Sequence, residues 1–291
     1  MEPQLVIEAR QRDVGGFFVR RVLPSAQRKL VGPFIFYDHL CRVDFVPGQG
    51  LDVRPHPHIG LATVTYLFEG AFLHRDSLGY AQEIRPGDVN WMIAGRGIAH
   101  SERTPPELRQ SGGPLHGIQC WVALPLEHEE VEPSFMHHAR STIPKITRPG
   151  AQLAVIAGTA YGAQSPVRVL SPTLYVHAQL ATGARLDVDD EHAERAVYVV
   201  SGAVSLGQGE REHGEGTLLV LPEGSSVQLS TSAGASVMLL GGAPLAGARH
   251  IYWNFVSSSL ERIEKAKAGW QAGHFGAVAG DEHEFIPLPE V

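Results

Sequence analysis

Short apolar runs separated by Gly, Pro and polar turn residues dominate this chain. That rhythm predicts strands rather than long helices. In the first half the expected strands are Phe17 to Leu23, Pro33 to Tyr37, Ala62 to Phe68, Ala71 to Asp76, Asp88 to Ile93 and Ile118 to Leu124. Turn chemistry falls between them. Glu69-Gly70 is expected to join two runs as a tight hairpin, and Pro86-Gly87-Asp88 presets a turn, with Pro fixing φ and Gly supplying positive φ. Gly95-Arg96-Gly97 permits a further reversal just before His100. From about Glu127 to Pro149 the chain turns polar and irregular, which predicts a crossing between domains.

The second half repeats the first. Tyr66 to Ala71 (YLFEGA) is matched by Tyr198 to Ala203 (YVVSGA) at an offset of 132, and Gly87 to Gly95 by Gly216 to Gly224 at an offset of 129. A domain-sized period implies two similar β-barrels, not a solenoid. The predicted domains are therefore residues 1–135 and 136–291. Near the end, Ser257 to Gly273 has the spacing of an amphipathic helix. Serines can cap its start, Glu261 and Lys265 are four apart, Leu260, Ile263, Ala266 and Trp270 share one side, and Gly273 can stop it. We assign this helix to the C-terminal barrel. The fold class predicted is all-β, two tandem jelly-roll-like barrels with a short C-terminal helix.

Composition narrows the function. The 291 residues suffice for two ordinary domains, and 43% hydrophobic content suits globular cores. A formal charge of −7 gives no electrostatic reason to bind nucleic acid or an anionic membrane. Cys41 and Cys120 are read as reduced structural thiols. No signal-peptide pattern is visible at the start, and no apolar run approaches the roughly 18 residues needed to span a bilayer. The expectation is a cytoplasmic protein.

Two triplets carry the chemistry: His56-Pro57-His58 and His100-Ser101-Glu102. In extended backbone, residues two apart share a face, so each triplet aims two ligand-type groups the same way. On neighbouring strands, three imidazoles and one carboxylate would converge, a set that suits a divalent transition metal with open coordination positions. The 42 positions from His58 to His100 leave room for two hairpins between them. The repeat does not copy the set. Under the offsets above, His56 and His58 fall on Val188 and Asp190, and His100 and Glu102 on Leu229 and Thr231.

With those residues in view, the run from His56 to Gly70 (HPHIGLATVTYLFEG) and that from Arg85 to Glu102 (RPGDVNWMIAGRGIAHSE) resemble the pirins, a branch of the cupin superfamily. Val14 to Pro24, Val31 to His39 and His116 to Val122 fit the same family. The resemblance implies a bicupin with one divalent metal, iron or else nickel, manganese, cobalt or zinc, in the first barrel alone. It transfers the ligand roles to His56, His58, His100 and Glu102. Many pirins carry an RGFE-like string after the first triplet, whereas this chain has Ile59-Gly60-Leu61-Ala62, which makes the surroundings of the metal more apolar.

Other chemistries lack their residues. There is no Pro-Cys-x-x-Cys for a zinc deaminase, no HExxH, no GxSxG and no GxxxxGK[ST]. His39, His74 and His116 are read as hydrogen-bonded barrel or surface residues in preference to groups that orient a ligand, His192 and Glu194 as surface residues, and Phe34, Phe36, Trp91, Met92 and Trp121 as core. The pirin resemblance implies a metal-dependent dioxygenase of the quercetinase kind acting on an aromatic or flavonol-like small molecule, with Glu102 as the group that takes the substrate proton. Behind it stand a metal-sensing regulatory protein that engages a protein partner and, third, a cupin isomerase or hydrolase.

Overall fold

The structure, a computed structural model, describes residues 2–14, 17–207 and 211–290. Strands carry almost all of its regular structure, and the chain divides into two compact units. One comprises Met1–His39 with Ser141–Leu245, the other Leu40–Arg140 with Ala246–Val291. This exchanges the chain's ends relative to a single cut after residue 135. Strand pairing and packing within each unit explain the exchange.

In the first of these units an eleven-stranded sheet runs in the order Leu5–Glu8, Thr217–Val220, Glu194–Leu206, Ala235–Gly242, Thr173–Leu180, Ala151–Ala160 and Lys145–Arg148, with shorter strands branching off it. The N-terminal strand pairs antiparallel with Thr217–Val220, Ile7 standing opposite Leu218. It therefore completes the barrel built from the second half of the sequence. Alternating inward residues, among them Val155, Val176, Val197, Leu219, Leu229 and Leu239, form one apolar core.

The other unit holds a four-stranded sheet in the order Asp52–His58, Ile98–Arg103, Phe72–Asp76, Ala81–Ile84. Its second sheet runs Ser134–His138, Val89–Ile93, Leu61–Glu69, Gly113–Ala123 and then Phe34–Phe45, the strand along which the chain enters this unit. The expected hairpin at Glu69-Gly70 is not one. Leu61–Glu69 pairs with Gly113–Ala123 and Val89–Ile93, while Phe72–Asp76 pairs with Ile98–Arg103 and Ala81–Ile84. Gly70, at φ +80, is where the chain leaves one sheet for the other. The segment expected to be irregular also contains a strand, Ser134–His138, paired with Val89–Ile93.

The C-terminal helix spans Leu260–Gln271, and its N-cap Ser259 accepts from the Arg262 N–H. It belongs with the first barrel's unit, not the second as expected. The reason is its apolar side: Ile263 and Ala266 pack with Ile59 and Phe255 in one buried cluster. A short helix, Pro106–Ser111, was not anticipated; Pro106 stands in its first turn, where a missing N–H costs nothing. Neither Cys41 nor Cys120 is in a disulfide.

Candidate metal centre

The two triplets do meet. Asp52–His58 and Ile98–Arg103 are antiparallel neighbours with His100 opposite His56. The register slips between His100 and Glu102, where Val53 rather than Arg54 faces Glu102. Pro55 sits in this slip, and a proline has no N–H for the ladder, so a bulge on an edge strand is where it is tolerated. Inside the bulge the Arg54 carbonyl accepts from His56 Nδ1 at 2.8 Å.

His58 is held from behind by the Asn254 carbonyl at 3.2 Å. That contact depends on Gly60, whose φ is +66 and whose absent Cβ would meet the Val256 carbonyl oxygen at 2.0 Å. Only glycine lets the 254–256 backbone come this close. The Val256 N–H then donates to the Ile59 carbonyl at 3.2 Å, fixing the approach.

With their backs secured, His56, His58 and His100 present ring nitrogens that all lie within 4.8 Å of one another. Ring centroids are 4.4 Å apart for His56 and His100 and 5.0 Å for each other pair. All three are buried, and burial pushes the His56 imidazole below its ordinary value and those of His58 and His100 well below it, neighbouring imidazoles adding to the effect at His58 and His100. Neutral rings keep the lone pairs a metal needs. His100 Nε2 is buried without any hydrogen-bond partner. An orphaned acceptor inside a protein is costly, and a cation at the centre of the three rings would satisfy it. The donor set fits a divalent transition metal.

Glu102 does not join that set of mutually close donors. Its Oε1 accepts from the Thr65 hydroxyl at 2.8 Å, and its Oε2 accepts from the Gln119 amide. Each oxygen retains a lone pair, so the carboxylate is oriented without being exhausted. Thr65 and Gln119 come from the opposite sheet, where they stand directly across from each other. Neither was singled out from the sequence; their signal is the shared inward parity of Thr63-Thr65 and Gln119-Trp121, visible only once the register is known. Trp121, buried in the core as expected, meets His58 edge-on at 5.2 Å and so also walls the site.

The three other histidines separate. His74 lies behind His100, with their Nδ1 atoms 3.4 Å apart. His39 bonds Tyr198 in the other unit's interior, and His116 packs against Phe68. His192 is buried rather than at the surface, its Nε2 bonded to the Thr159 carbonyl, and Glu194 is engaged by Arg28.

The second barrel's equivalent site is apolar. Val188 pairs with Val227 and Leu186 with Leu229, as His58 pairs with Ile98 and His56 with His100. The register therefore places Leu186 and Val188, not Val188 and Asp190, at the positions of His56 and His58; Val188 stands ten positions before Tyr198 whereas His58 stands eight before Tyr66, which shifts the alignment by two. Leu186, Val188 and Leu229 are all core residues there.

Comparison with known proteins gives concordant matches. The family model "Pirin" matches residues 16–122, and "Pirin C-terminal cupin domain" matches residues 175–276. The chain is 49% identical to a pirin-like protein of Caulobacter vibrioides over 98% of its own length and 99% of the relative's. It is 33% identical to human pirin, over 90% of this chain and 89% of that one. Among solved structures, a quercetin 2,3-dioxygenase from Acinetobacter baumannii superposes with a TM-score of 0.91 at 30% identity, covering 99% of this chain and 95% of the other.

Proposed function

This chain belongs to the pirin family, and from that premise we propose that its first barrel is a metal-dependent dioxygenase acting on a flavonol-like aromatic enol. The observation that carries the proposal is the convergence of three buried, neutral imidazoles beside a carboxylate that two neighbours hold in place. Likeness to an enzyme named as a quercetin 2,3-dioxygenase supports the substrate class.

His56, His58 and His100 would hold the ion, with Glu102 as the fourth ligand. Iron is the first choice, and nickel, manganese, cobalt and zinc also suit nitrogen and oxygen donors. When bound, the metal supplies Lewis acidity that lowers the pKa of a substrate hydroxyl, and redox-active ions add the capacity to engage O₂. Glu102 would take the hydroxyl proton, a role supported by Thr65 and Gln119, which bond its two oxygens and leave a lone pair on each. Trp121, edge-on to His58 and buried, lines an apolar wall of the site.

Oxygen uptake with quercetin, measured on protein loaded separately with Fe(II), Ni(II), Co(II) or Mn(II), tests this reading. Turnover with at least one metal that falls to background in Glu102→Ala is expected. No turnover above that variant with any ion would remove the dioxygenase reading.

A further inference from the structure

The three converging imidazoles differ in what stands behind them. His56 and His58 each face a backbone carbonyl, of Arg54 and of Asn254. His100 faces another imidazole, with its Nδ1 3.4 Å from His74 Nδ1. His74 Nε2 in turn lies 3.1 Å from Asp76 Oδ2. Asp76 is itself pinned, since its Oδ1 accepts from the N–H groups of Leu78 at 2.9 Å and Tyr80 at 3.1 Å. The His74 ring is stacked on Phe135, 4.2 Å between centroids and 10° from parallel, which supports one face of it. All three polar residues are buried.

We propose that Asp76 and His74 are positioning residues that set the tautomer of His100 and thereby decide whether its Nε2 can take a metal. The proposal rests on the metal-binding half of the reading above and is independent of dioxygenase turnover.

The polarity follows from the donor inventory. A carboxylate has no hydrogen to give, so the His74 tautomer that pairs with Asp76 carries its hydrogen on Nε2 and turns a bare Nδ1 toward His100. His100 donates from Nδ1, which leaves Nε2 bare, and Nε2 is the atom that has no protein partner. A backbone carbonyl does the same for His56 and His58, because it too can only accept. The relay differs in being reversible by a single atom. In Asp76→Asn, the Leu78 and Tyr80 N–H groups keep the side-chain oxygen, which puts the amide NH₂ on His74 Nε2. His74 must then carry its hydrogen on Nδ1, and His100 must accept there. The His100 hydrogen moves to Nε2, facing the other two imidazoles, and blocks the ligand position.

The test is binding of Co(II) and Zn(II) to the full chain at fixed pH, by competition with a chromophoric chelator, with His56→Ala marking the site. Asp76→Asn and His74→Phe are each expected to weaken binding roughly 10–100-fold, the range for a partner behind a metal ligand. His74→Asn keeps an acceptor oxygen near the old Nδ1 and should recover most of that loss. The double variant Asp76→Asn/His74→Phe should bind no worse than His74→Phe, because without the imidazole there is no relay to reverse. Nitrogen-15 spectra of the metal-free protein should show His100 as the Nδ1–H form in wild type and Nε2–H in Asp76→Asn. Wild-type affinity in Asp76→Asn, or additive losses in the double variant, would overturn the relay. A wild type that binds neither ion at the His56 site would overturn the metal reading itself.

Discussion

The Thr65 hydroxyl reaches Glu102 Oε1 at 2.8 Å from a strand that shares no ladder with the one carrying Glu102. The two sheets of this barrel are thus joined through the carboxylate that the proposed chemistry uses. Thr65→Val keeps the shape and deletes the donor, leaving one oxygen of a buried carboxylate without its partner. A cost of about 1.5–3 kcal/mol is expected, the range for a hydrogen bond to a charged group. It should appear as a lower Tm in the metal-free protein and as lost oxygen uptake. Unchanged values in both would mean that Thr65 does not hold Glu102.

Acid should destabilise the metal-free protein. Burial holds His56, His58 and His100 below their ordinary 6.5, so the unfolded chain binds protons in a range where the folded one does not. Stability then rises with pH across that range. The contribution is complete above about pH 6.5 and is lost as pH falls from there toward the folded-state values. Thermal melts of metal-free protein in that range should show the loss. His100→Leu, which copies the Leu229 found at this register in the second barrel, should flatten it. Parallel pH profiles for the two proteins would contradict the assignment.

The helix Leu260–Gln271 should matter to the metal site although it touches no ligand. Ile263 packs with Ile59 and Phe255, which flank the Asn254 carbonyl behind His58. Ile263→Ala is expected to cost about 2–4 kcal/mol through the cavity it leaves, and to weaken metal binding measured by chelator competition. Leu260→Ala, at a position 62% exposed, serves as the control, with a change within about 0.5 kcal/mol. Equal effects at the two positions would rule out this coupling.

Arg103 ties the chain's end to the ligand strand. Its Nε and Nη2 donate to the two oxygens of Asp281 at 2.7 and 2.8 Å, and Nη2 also reaches Glu284 at 2.7 Å. Arg103→Ala should free residues 274–290, seen as faster cleavage there in limited proteolysis. Arg103→Lys should recover only part of the protection, because an ammonium cannot match a bidentate fork. Cleavage at the wild-type rate in Arg103→Ala would show that the tail is held elsewhere.

The all-β class, the duplication and the His56, His58 and His100 cluster were legible in the sequence. Alternation puts residues two apart on one face whatever the fold, so HxH and HxE carry their geometry with them. The failures share one cause. Glu69-Gly70 has the residues of a hairpin, yet which sheet each flanking run joins is decided by distant partners. The helix has its own periodicity and cap, but nothing local says that it packs on Ile59.

The amino-acid order by itself determined which side chains travel together: two imidazoles on one strand, an imidazole and a carboxylate on another, and a repeat that lacks both triplets at the matching positions. Only the tertiary structure decided what stands behind and beside them. Thr65 and Gln119 on Glu102, Asp76 and His74 behind His100, and Asn254 behind His58 are contacts between segments far apart in the chain. Backbone geometry sets parity within a strand, whereas register, bulges and sheet crossings between strands emerge from the packing of the whole barrel.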